Sequence, residues 1–402
     1  MITGDGAYIK KINRGLILRK IIEEQSVSRA DLSKITGLNK ATVSVQVADL
    51  LNEHLIFESQ QEHNTVGRRP IMLSINRKAG YVLGVDLDYK QIQYIVTDLG
   101  GQPVHYKSVK LDTVDYDEIV AMLIQDIQHY QSEWASSEYG LISAIIGVHG
   151  TVSNDEKIHF VPAYQWENKS LKEDLENVLE IDISIQNNAN LSAYAERVYA
   201  YHDSDNLLCI MLSSGIGVGL MVDGNLQTGF HGFSGEMGHM IIKQNGELCN
   251  CGNRGCWELY SSEKSLFIKL MKHMQVDYLT YDELEQLIEQ KDSDTMAILE
   301  EYIVDLSTGL NNIINLYNPE TVVLTSRVLK MYPNAIEKIK RNFHSTMSQY
   351  GSLVLSGLGY KSCSLGACAL GIQRFLEVSE VVLTLDAPLV ATSHKKDGFA
   401  IH

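Results

Sequence analysis

The stretch LLCIMLSSGIGVGLMVDGNL, residues 207–226, contains two apolar runs separated by the glycine-rich turn SSGIG. Apolar runs of this length, bounded by Gly, Ser and Asn, predict a strand, a turn and a second strand. Residues 80–98 contain a similar pair of runs, YVLGVDLD and QIQYIVTD. In both places the hairpin is followed by further strands and helices, which predicts two successive α/β units. The repeat of this pattern indicates an internal duplication, with the two units on either side of a cleft. Ligands of open α/β sheets bind at the carboxyl ends of the strands, so the cleft is the predicted binding region.

The composition is that of a folded protein. The chain has 402 residues, 45% of them apolar and 21% charged, with 6 Pro and 30 Gly, values that exclude a collagen-like or disordered chain. This length predicts two or three domains. The first residues contain no apolar signal segment, and the sequence predicts no membrane span. The 6 Cys are too sparse for a disulfide framework, which favours a cytoplasmic protein.

Positive charge is concentrated in the N-terminal segment. Residues 1–78 carry 12 Lys and Arg against 8 Asp and Glu, whereas residues 79–402 carry 22 against 42. This asymmetry is typical of a nucleic-acid-binding segment attached to an acidic body that by itself repels phosphate. The alternative is a chance excess of 4 positive charges, and charge alone does not exclude it.

The N-terminal segment has the pattern of a helix-turn-helix. Apolar residues recur at helical spacing in residues 10–25, which predicts a first helix. Ser28 is the predicted cap of a second helix, in which Leu32 and Ile35 are expected to face inward. Gly37 permits the turn that follows, and a third helix is predicted to open at Asn39.

The third helix has the composition of a helix that reads DNA. Val43, Val47 and Leu50 are spaced to face inward, which leaves short polar side chains and one cation at or near the outer surface. Such side chains donate to base edges and phosphates in a major groove without steric bulk. The predicted DNA contacts of these two helices are Ser28, Arg29, Asn39, Lys40, Thr42, Ser44 and Gln46.

Two predicted strands after this helix complete a winged helix-turn-helix. Residues 55–58 and 71–75 have strand character, and the polar segment between them ends in GRRP. Arg68 and Arg69 at this predicted wing tip are expected to enter the minor groove or to bind phosphate. An ordinary three-helix packing unit is the alternative interpretation of the helices alone. The wing, the basic charge and the terminal position favour DNA binding.

A Cys and His cluster in GEMGHMIIKQNGELCNCGNRGCWE, residues 235–258, predicts a metal site. His239, Cys249, Cys251 and Cys256 supply three thiolates and one imidazole, the donor set of tetrahedral Zn²⁺. Four protein ligands close the coordination shell, so the predicted zinc is structural and offers no water for hydrolysis. Cysteines that only pack in the interior or stay reduced at the surface are the alternative.

Two carboxylates flank the predicted zinc ligands. Glu236 lies three residues before His239, and Glu258 lies two residues after Cys256. Paired carboxylates with nearby amides are a common means of binding the hydroxyl groups of a sugar. Solvated surface acids are the alternative for these two glutamates.

The motifs resemble those of the ROK family (repressors, open reading frames and sugar kinases), and in particular its DNA-binding branch. The resemblance spans all but about the last twenty residues, and the block from EMGH to CNCGNRGCWE is highly specific. The motifs are VSRADLSKITGLNKATVS, GRRPIMLSI, GYVLGVDL, IGVHGTVS, IQNNANLSAYAE, SSGIGVGLMVDG, FSGEMGHM and CNCGNRGCWELY.

This resemblance implies an α/β fold with an N-terminal winged helix-turn-helix and a two-lobed, actin-like body of the sugar kinase and Hsp70 type. The expected domains are residues 1–78, 79–203 and 204–402, the last containing the zinc loop. The resemblance also implies a sugar site, in which His239 orients the sugar while it binds zinc. The implied sugar-binding residues are Gly150, Trp166, Asn187, Asn188, Glu236, His239 and Glu258.

The sequence departs from the kinases of this family at three places. In those kinases an Asp acts as the general base, and here Asn188 holds that position; an amide does not accept a proton at neutral pH. The phosphate-binding turn expected as DxGGT reads DLDYK at residues 86–90, and a glycine pair near the nucleotide reads Thr325-Ser326. We therefore expect sugar binding without phosphoryl transfer.

These features together predict a sugar-responsive transcriptional repressor rather than an enzyme. It is expected to bind palindromic operator DNA as a homodimer or higher oligomer, because two half-sites multiply the affinity of a single winged helix. A monosaccharide inducer is expected to close the cleft and release the DNA. The resemblance favours D-xylose, although residue types alone do not distinguish a pentose from glucose. The alternatives are an active sugar kinase with an added DNA-binding domain and a zinc-stabilised scaffold that binds neither ligand.

Overall fold

The chain forms two compact units, each with one five-stranded sheet. The structure is a computed structural model that describes residues 6–60, 70–88, 90–386 and 398–400. Unit 1 comprises Met1–Asn187, Val198–His202 and Cys363–Ala387, and unit 2 comprises Asn188–Arg197, Asp203–Ser362 and Pro388–His402. Among the described residues, none of the helices combines the length and the apolar character needed to cross a membrane.

Unit 1 begins with three helices and a small sheet. Ser28 accepts a hydrogen bond from the backbone N–H of Asp31 as a helix cap, Gly37 has a φ of 70°, and Asn39 caps the following helix, as predicted. The strands pair antiparallel in the order β1-β3-β2. The elements are α1 (Gly6–Glu24), β1 (Val27–Ser28), α2 (Arg29–Thr36), α3 (Lys40–Asn52), β2 (Ile56–Gln60) and β3 (Ile71–Ile75).

The inner face of these helices differs from the prediction at two positions. Val43, Val47 and Leu50 are buried as expected, but Gln46 is also buried, at 4% exposed. Its predicted place on the outer surface is wrong, because it lies three residues after Val43 and four before Leu50 and therefore shares their face. Ile35, expected to face inward, is 44% exposed at the end of the short helix α2.

The remainder of unit 1 is built on a mixed sheet of order β11-β7-β4-β5-β6. Strands β4, β7 and β11 are parallel, and β4, β5 and β6 form consecutive antiparallel hairpins. A second sheet has the order β10-β9-β8. The elements are β4 (Tyr81–Asp88), β5 (Gln91–Asp98), β6 (Pro103–Lys110), α4 (Tyr116–Trp134), β7 (Leu141–Val148), β8 (Thr151–Val152), β9 (Ile158–Val161), β10 (Trp166–Lys169), α5 (Leu171–Glu176) and β11 (Asp182–Asn187).

Unit 2 contains a sheet of order β14-β13-β12-β16-β17. An apolar core that includes Trp257 and Phe267 lies among this sheet and its helices. The elements from α6 onward are α6 (Asn188–Tyr199), β12 (Leu207–Leu212), β13 (Ile216–Val222), β14 (Asn225–Leu226), α7 (Glu258–Ser261), α8 (Glu263–Met274), β15 (Tyr278–Thr280), α9 (Tyr281–Glu289), α10 (Ser293–Tyr317), β16 (Thr321–Thr325), α11 (Arg327–Met331), α12 (Ala335–Arg341), β17 (Ser352–Leu355), α13 (Ser362–Leu376) and β18 (Gly398–Ala400).

The two five-stranded sheets have the same topology, which confirms the predicted duplication. In each, the first strand pairs antiparallel with the second and parallel with the fourth. In each unit, the helix that follows the last strand of the sheet belongs to the other unit. Helix α6 follows β11 of unit 1, but its residues 188–197 belong to unit 2. Helix α13 follows β17 of unit 2, but residues 363–387 belong to unit 1. The boundaries predicted at residues 79 and 204 follow the chain and do not anticipate this exchange.

Glycines permit the close packing of these exchanged helices. A Cβ at Gly84 of β4 would lie 2.0 Å from the carbonyl oxygen of Ser364 in α13. A Cβ at Gly219 of β13 would lie 2.2 Å from the carbonyl oxygen of Ala189 in α6. Neither backbone oxygen can move without moving its helix, so a side chain at either glycine would displace the helix from the sheet.

Candidate functional site

The four predicted metal ligands meet in the loop of unit 2 between β14 and α7. The ligand atoms of His239, Cys249, Cys251 and Cys256 all lie within 4.8 Å of one another. The Sγ atom of Cys249 is 3.6 Å from Nδ1 of His239, and the Sγ atoms of Cys251 and Cys256 are also 3.6 Å apart. Sulfur ligands at about 2.3 Å from a tetrahedral zinc lie about 3.8 Å from one another. The residues therefore fit a metal ion of that coordination.

The backbone of this loop brings the cysteines together. Gly252 and Gly255 have φ values of 92° and 83°, in the left-handed region that favours glycine. A Cβ at Gly255 would lie 1.7 Å from the carbonyl oxygen of Lys243, so this turn requires glycine. Burial raises the pKa of the Cys249 and Cys256 thiols in the absence of an ion. A bound cation would supply the charge that stabilises the thiolates.

The two predicted carboxylates lie beside the metal ligands. Oε1 of Glu258 is 3.4 Å from Nδ1 of His239, and Oε2 of Glu236 is 3.8 Å from its Nε2. The side chains of Glu236 and Glu258 are 41% and 23% exposed, so both are open to a ligand. A Cβ at Gly215 would lie 2.9 Å from Oε2 of Glu258, which places the turn between β12 and β13 against this carboxylate. Glu236 and Glu258 therefore place carboxylate acceptors on both sides of the His239 imidazole.

Asn188 opens α6 in unit 2. Its side chain is 8% exposed, and its Nδ2 lies 3.8 Å from the sulfur of Met211. A sulfur atom is a weak acceptor, so the amide retains most of its capacity to bind a stronger partner.

Three residues of unit 1 are predicted to bind sugar. Two of them, Asn187 and Gly150, contact each other, and the third, Trp166, lies in the core. Nδ2 of Asn187 donates to the carbonyl oxygen of Gly150 at 2.9 Å. A Cβ at Gly150 would lie 2.3 Å from the carbonyl oxygen of Phe160, so the glycine is needed there. Trp166 is 4% exposed, and its indole N–H donates to the carbonyl oxygen of Val114 at 2.9 Å. Its polar atom is therefore already paired, and Trp166 is a core residue of unit 1.

A cluster of charged groups in unit 1 was missed by the sequence reasoning. Nε2 of His149 lies 2.8 Å from Oδ1 of Asp86, and its Nδ1 lies 3.6 Å from Oδ1 of Asp88. Burial lowers the pKa of His149, but the two carboxylates outweigh this effect and raise the pKa from 6.5 to about 9. The sequence showed acids at the end of one predicted strand and a histidine after another. Only the structure shows that these strands, β4 and β7, are parallel neighbours, which brings the acids and the histidine to one sheet edge.

Some of the residues predicted to contact DNA are exposed on α3, and others make contacts within the protein. Lys40 and Ser44 are exposed, Thr42 is half-buried, and Val45, not foreseen as a contact, is 56% exposed on the same helix. Ser28 is used as a cap, and Nη1 of Arg29 pairs with Oε1 of Glu58 at 2.5 Å. Arg68 and Arg69 lie outside the described residues.

The fold and the site define a ROK-type protein, and comparison with known proteins agrees. The family model described as ROK family matches residues 82–374, and the chain belongs to this family. A xylose repressor of Bacillus subtilis (strain 168) is 38% identical over 383 residues, which cover 94% of this chain and 99% of the repressor. The resemblance recognised in the motifs is therefore confirmed.

Solved structures show the same fold. A ROK family transcriptional regulator described as a homologue of the E. coli MLC protein has a TM-score of 0.78 at 23% identity, covering 92% of this chain and 98% of its own. A ROK family glucokinase from Streptomyces griseus in complex with glucose and AMPPNP has a TM-score of 0.63 at 22% identity, covering 72% of this chain and 99% of its own. These likenesses establish the actin-like, sugar-kinase-type α/β fold.

Proposed function

We propose that this chain is a transcriptional repressor that binds operator DNA and releases it when a monosaccharide binds, with D-xylose as the inducer. The observation that carries the proposal is the extent of the match to a xylose repressor. That match covers 94% of the chain, whereas the family model begins only at residue 82. The part of the chain left outside the match is too short to contain the whole segment before residue 82, so the likeness extends into the N-terminal helices.

In this proposal α3 reads the major groove of the operator. The exposed Lys40 and Ser44 are available to phosphates and base edges, and Val45 adds an apolar contact of the kind that recognises a thymine methyl group. The buried Gln46 is not among these contacts. Arg68 and Arg69 remain the proposed wing contacts. A homodimer or higher oligomer would place two such helices on a palindromic site.

The proposed sugar contacts in unit 2 are Asn188, Glu236, His239 and Glu258. Two carboxylates within 4 Å of one imidazole, all partly open to solvent, offer charged acceptors to several hydroxyl groups. In unit 1 the proposed contacts are Asn187 and Gly150. The metal held by His239 and the three cysteines is proposed to be a structural Zn²⁺, which would fix the loop that carries Glu236 and Glu258.

We infer further that the chain binds sugar without phosphorylating it. The amide of Asn188 can donate to a sugar hydroxyl, but it does not remove the proton that a transferred phosphoryl group replaces. An active sugar kinase with an added DNA-binding domain is the competing function. Incubation with D-xylose or D-glucose, ATP and Mg²⁺ distinguishes the two, because sustained sugar-dependent release of ADP would contradict this inference.

The test of repression starts from the purified full-length chain. A random library of 30-base-pair duplexes is selected for binding, and the selected duplex is titrated by fluorescence anisotropy with and without D-xylose. We expect D-xylose to weaken DNA binding about 5- to 150-fold, the usual range of allosteric coupling. Glu258→Gln should reduce this response, whereas Glu247→Gln in the same loop should not. Failure to select any duplex, or an equal response of both variants, would contradict the proposal.

A further inference from the structure

The residues that directly follow α13 lie against α1, the first helix of the N-terminal segment. A Cβ at Gly15 of α1 would lie 3.0 Å from the carbonyl oxygen of Glu377 and 3.8 Å from Cα of Val378. Glycine is less favourable than alanine inside a helix, so the presence of Gly15 in α1 is explained by this close backbone approach. Nζ of Lys11 also pairs with Oε1 of Glu377 at 3.0 Å.

One arginine of α1 joins α13 to α3. Nη1 of Arg14 donates to the carbonyl oxygen of Leu376, the last residue of α13, at 3.2 Å. Nη2 of the same side chain pairs with Oε2 of Glu53, the residue that caps the C-terminus of α3, at 2.7 Å. The side chain of Arg14 is 19% exposed and that of Glu53 is 41% exposed, so the guanidinium is mostly shielded from solvent while the carboxylate is partly open to it.

A tyrosine makes a second connection between the same two helices. The hydroxyl of Tyr139 donates to the carbonyl oxygen of Glu53 at 2.7 Å. Its ring contacts the ring of Phe375 in α13 edge-on, with centroids 5.0 Å apart. Arg14, Glu53, Tyr139, Phe375 and Leu376 therefore form a closed ring of contacts, which we call the α3–α13 junction.

The position of α13 in the chain makes this junction a route for a signal. α13 directly follows the last strand of the unit 2 sheet, yet residues 363–387 pack in unit 1. The chain continues from α13 along unit 1, where Nη1 of Arg77 pairs with Oδ2 of Asp386 at 3.3 Å. A displacement of α13 would act on the C-terminal end of α3 through two independent side chains.

We propose that the α3–α13 junction transmits sugar binding to the DNA-reading helix. This inference rests on the proposed repressor function and names the residues that connect its two activities. Sugar binding changes the DNA affinity only if the two states differ in the position or freedom of α3, and the junction fixes that position relative to α13.

The test compares Arg14→Gln, Tyr139→Phe and their double variant in the full-length protein. The control is Lys10→Ala, which removes an α1–α3 ion pair, Nζ to Oδ2 of Asp49 at 2.8 Å, without altering the α3–α13 junction. The readout is the ratio of the DNA dissociation constants with and without D-xylose, measured on the selected duplex. Calorimetric titration with D-xylose confirms that each variant is folded and binds sugar.

We expect the ratio to fall to less than about 3 in the double variant, against about 5 to 150 in the unsubstituted protein and in Lys10→Ala. A purely structural role of the junction would weaken DNA binding equally with and without sugar and leave the ratio unchanged, which would overturn the inference. If the double variant does not fold, Tyr139→Phe decides, because it removes only one hydroxyl. If the unsubstituted chain shows no sugar response, the proposed function fails as well.

Discussion

Replacement of His149 by glutamine is expected to remove a pH-dependent part of the stability of unit 1. The imidazole lies between the carboxylates of Asp86 and Asp88, and its side chain is only 16% exposed. Burial opposes the charged form, but the two carboxylates raise the pKa from 6.5 to about 9. At about 1.4 kcal/mol for each pKa unit, the protonated histidine contributes about 3 kcal/mol to the free energy of unfolding.

The sign of this contribution follows from the direction of the shift. Between pH 6.5 and 9 the folded state binds the proton more strongly than the unfolded state, so stability decreases as the pH rises. The contribution is fully present below the unfolded pKa of 6.5 and is lost as the pH rises through about 9. We expect a loss of about 2.5 kcal/mol across this window in the unsubstituted protein and a smaller loss in His149→Gln.

The assay is urea unfolding at pH 6.5, 7.5 and 9, followed by tryptophan fluorescence. Trp134 and Trp166 lie in unit 1 and report its unfolding. His149→Gln should be clearly less stable at pH 6.5, where the unsubstituted protein holds a cation between the two carboxylates, and nearly as stable at pH 9, so the pH slope is the decisive quantity. His129→Gln is the control, since that side chain is 66% exposed. Equal slopes in His149→Gln and the unsubstituted protein would refute the assignment of a charged histidine.

Three further predictions concern unit 2. Burial raises the pKa of Glu196 to about 7, so stability should fall by about 3 kcal/mol as the pH rises from 4.5 through 7. Glu196→Gln should lack this fall in the urea assay extended down to pH 4.5. Gly219→Val should lower the free energy of unfolding by at least about 1 to 3 kcal/mol, because the carbonyl oxygen of Ala189 in α6 lies 2.2 Å from the new Cβ. Gly357→Ala is the control for thermal unfolding and should leave the stability unchanged, since its Cβ meets nothing within 4 Å. Cys251→Ser should release the bound metal and lower the melting temperature, as measured by metal analysis and calorimetry, while Asn250→Ser should retain it; a metal content unchanged in Cys251→Ser would contradict the ligand assignment.

The sequence predicted the architecture well because strand and helix periodicities are local properties. The hairpins at residues 80–98 and 207–226 lie where their apolar patterns placed them. The exchange of α6 and α13 was not predictable in this way. An apolar face shows that a helix packs on a sheet, but two sheets of equal topology offer the same kind of surface. The glycines that permit these contacts, Gly84 and Gly219, are recognised only when the facing backbone is known.

The candidate site was predictable where its residues are close in sequence. The four predicted metal ligands, from His239 to Cys256, belong to one loop, which brings them together. The contact of His149 with Asp86 spans 63 positions and depends on which strands are neighbours. Gln46 was misplaced for a different reason: its polarity suggested exposure, whereas its position on α3 determines its burial. When the buried face of a helix is wide, the position of a residue around the helix predicts its burial better than its polarity does.

The His149 cluster bears on the proposed absence of phosphoryl transfer. A phosphate site needs backbone N–H groups or cations directed at the anion. At the end of β4 this chain instead places the carboxylates of Asp86 and Asp88, and the imidazole of His149 lies within 4 Å of both. The cluster has a net charge of −1 when the histidine is protonated, so its field opposes a phosphate rather than attracting it. The amide of Asn188 in unit 2, which we propose stands where the family's kinases have a general base, accepts no proton. An Asn188→Asp substitution would leave the charge at the end of β4 unchanged. The inference that sugar is bound without phosphoryl transfer therefore does not rest on Asn188 alone.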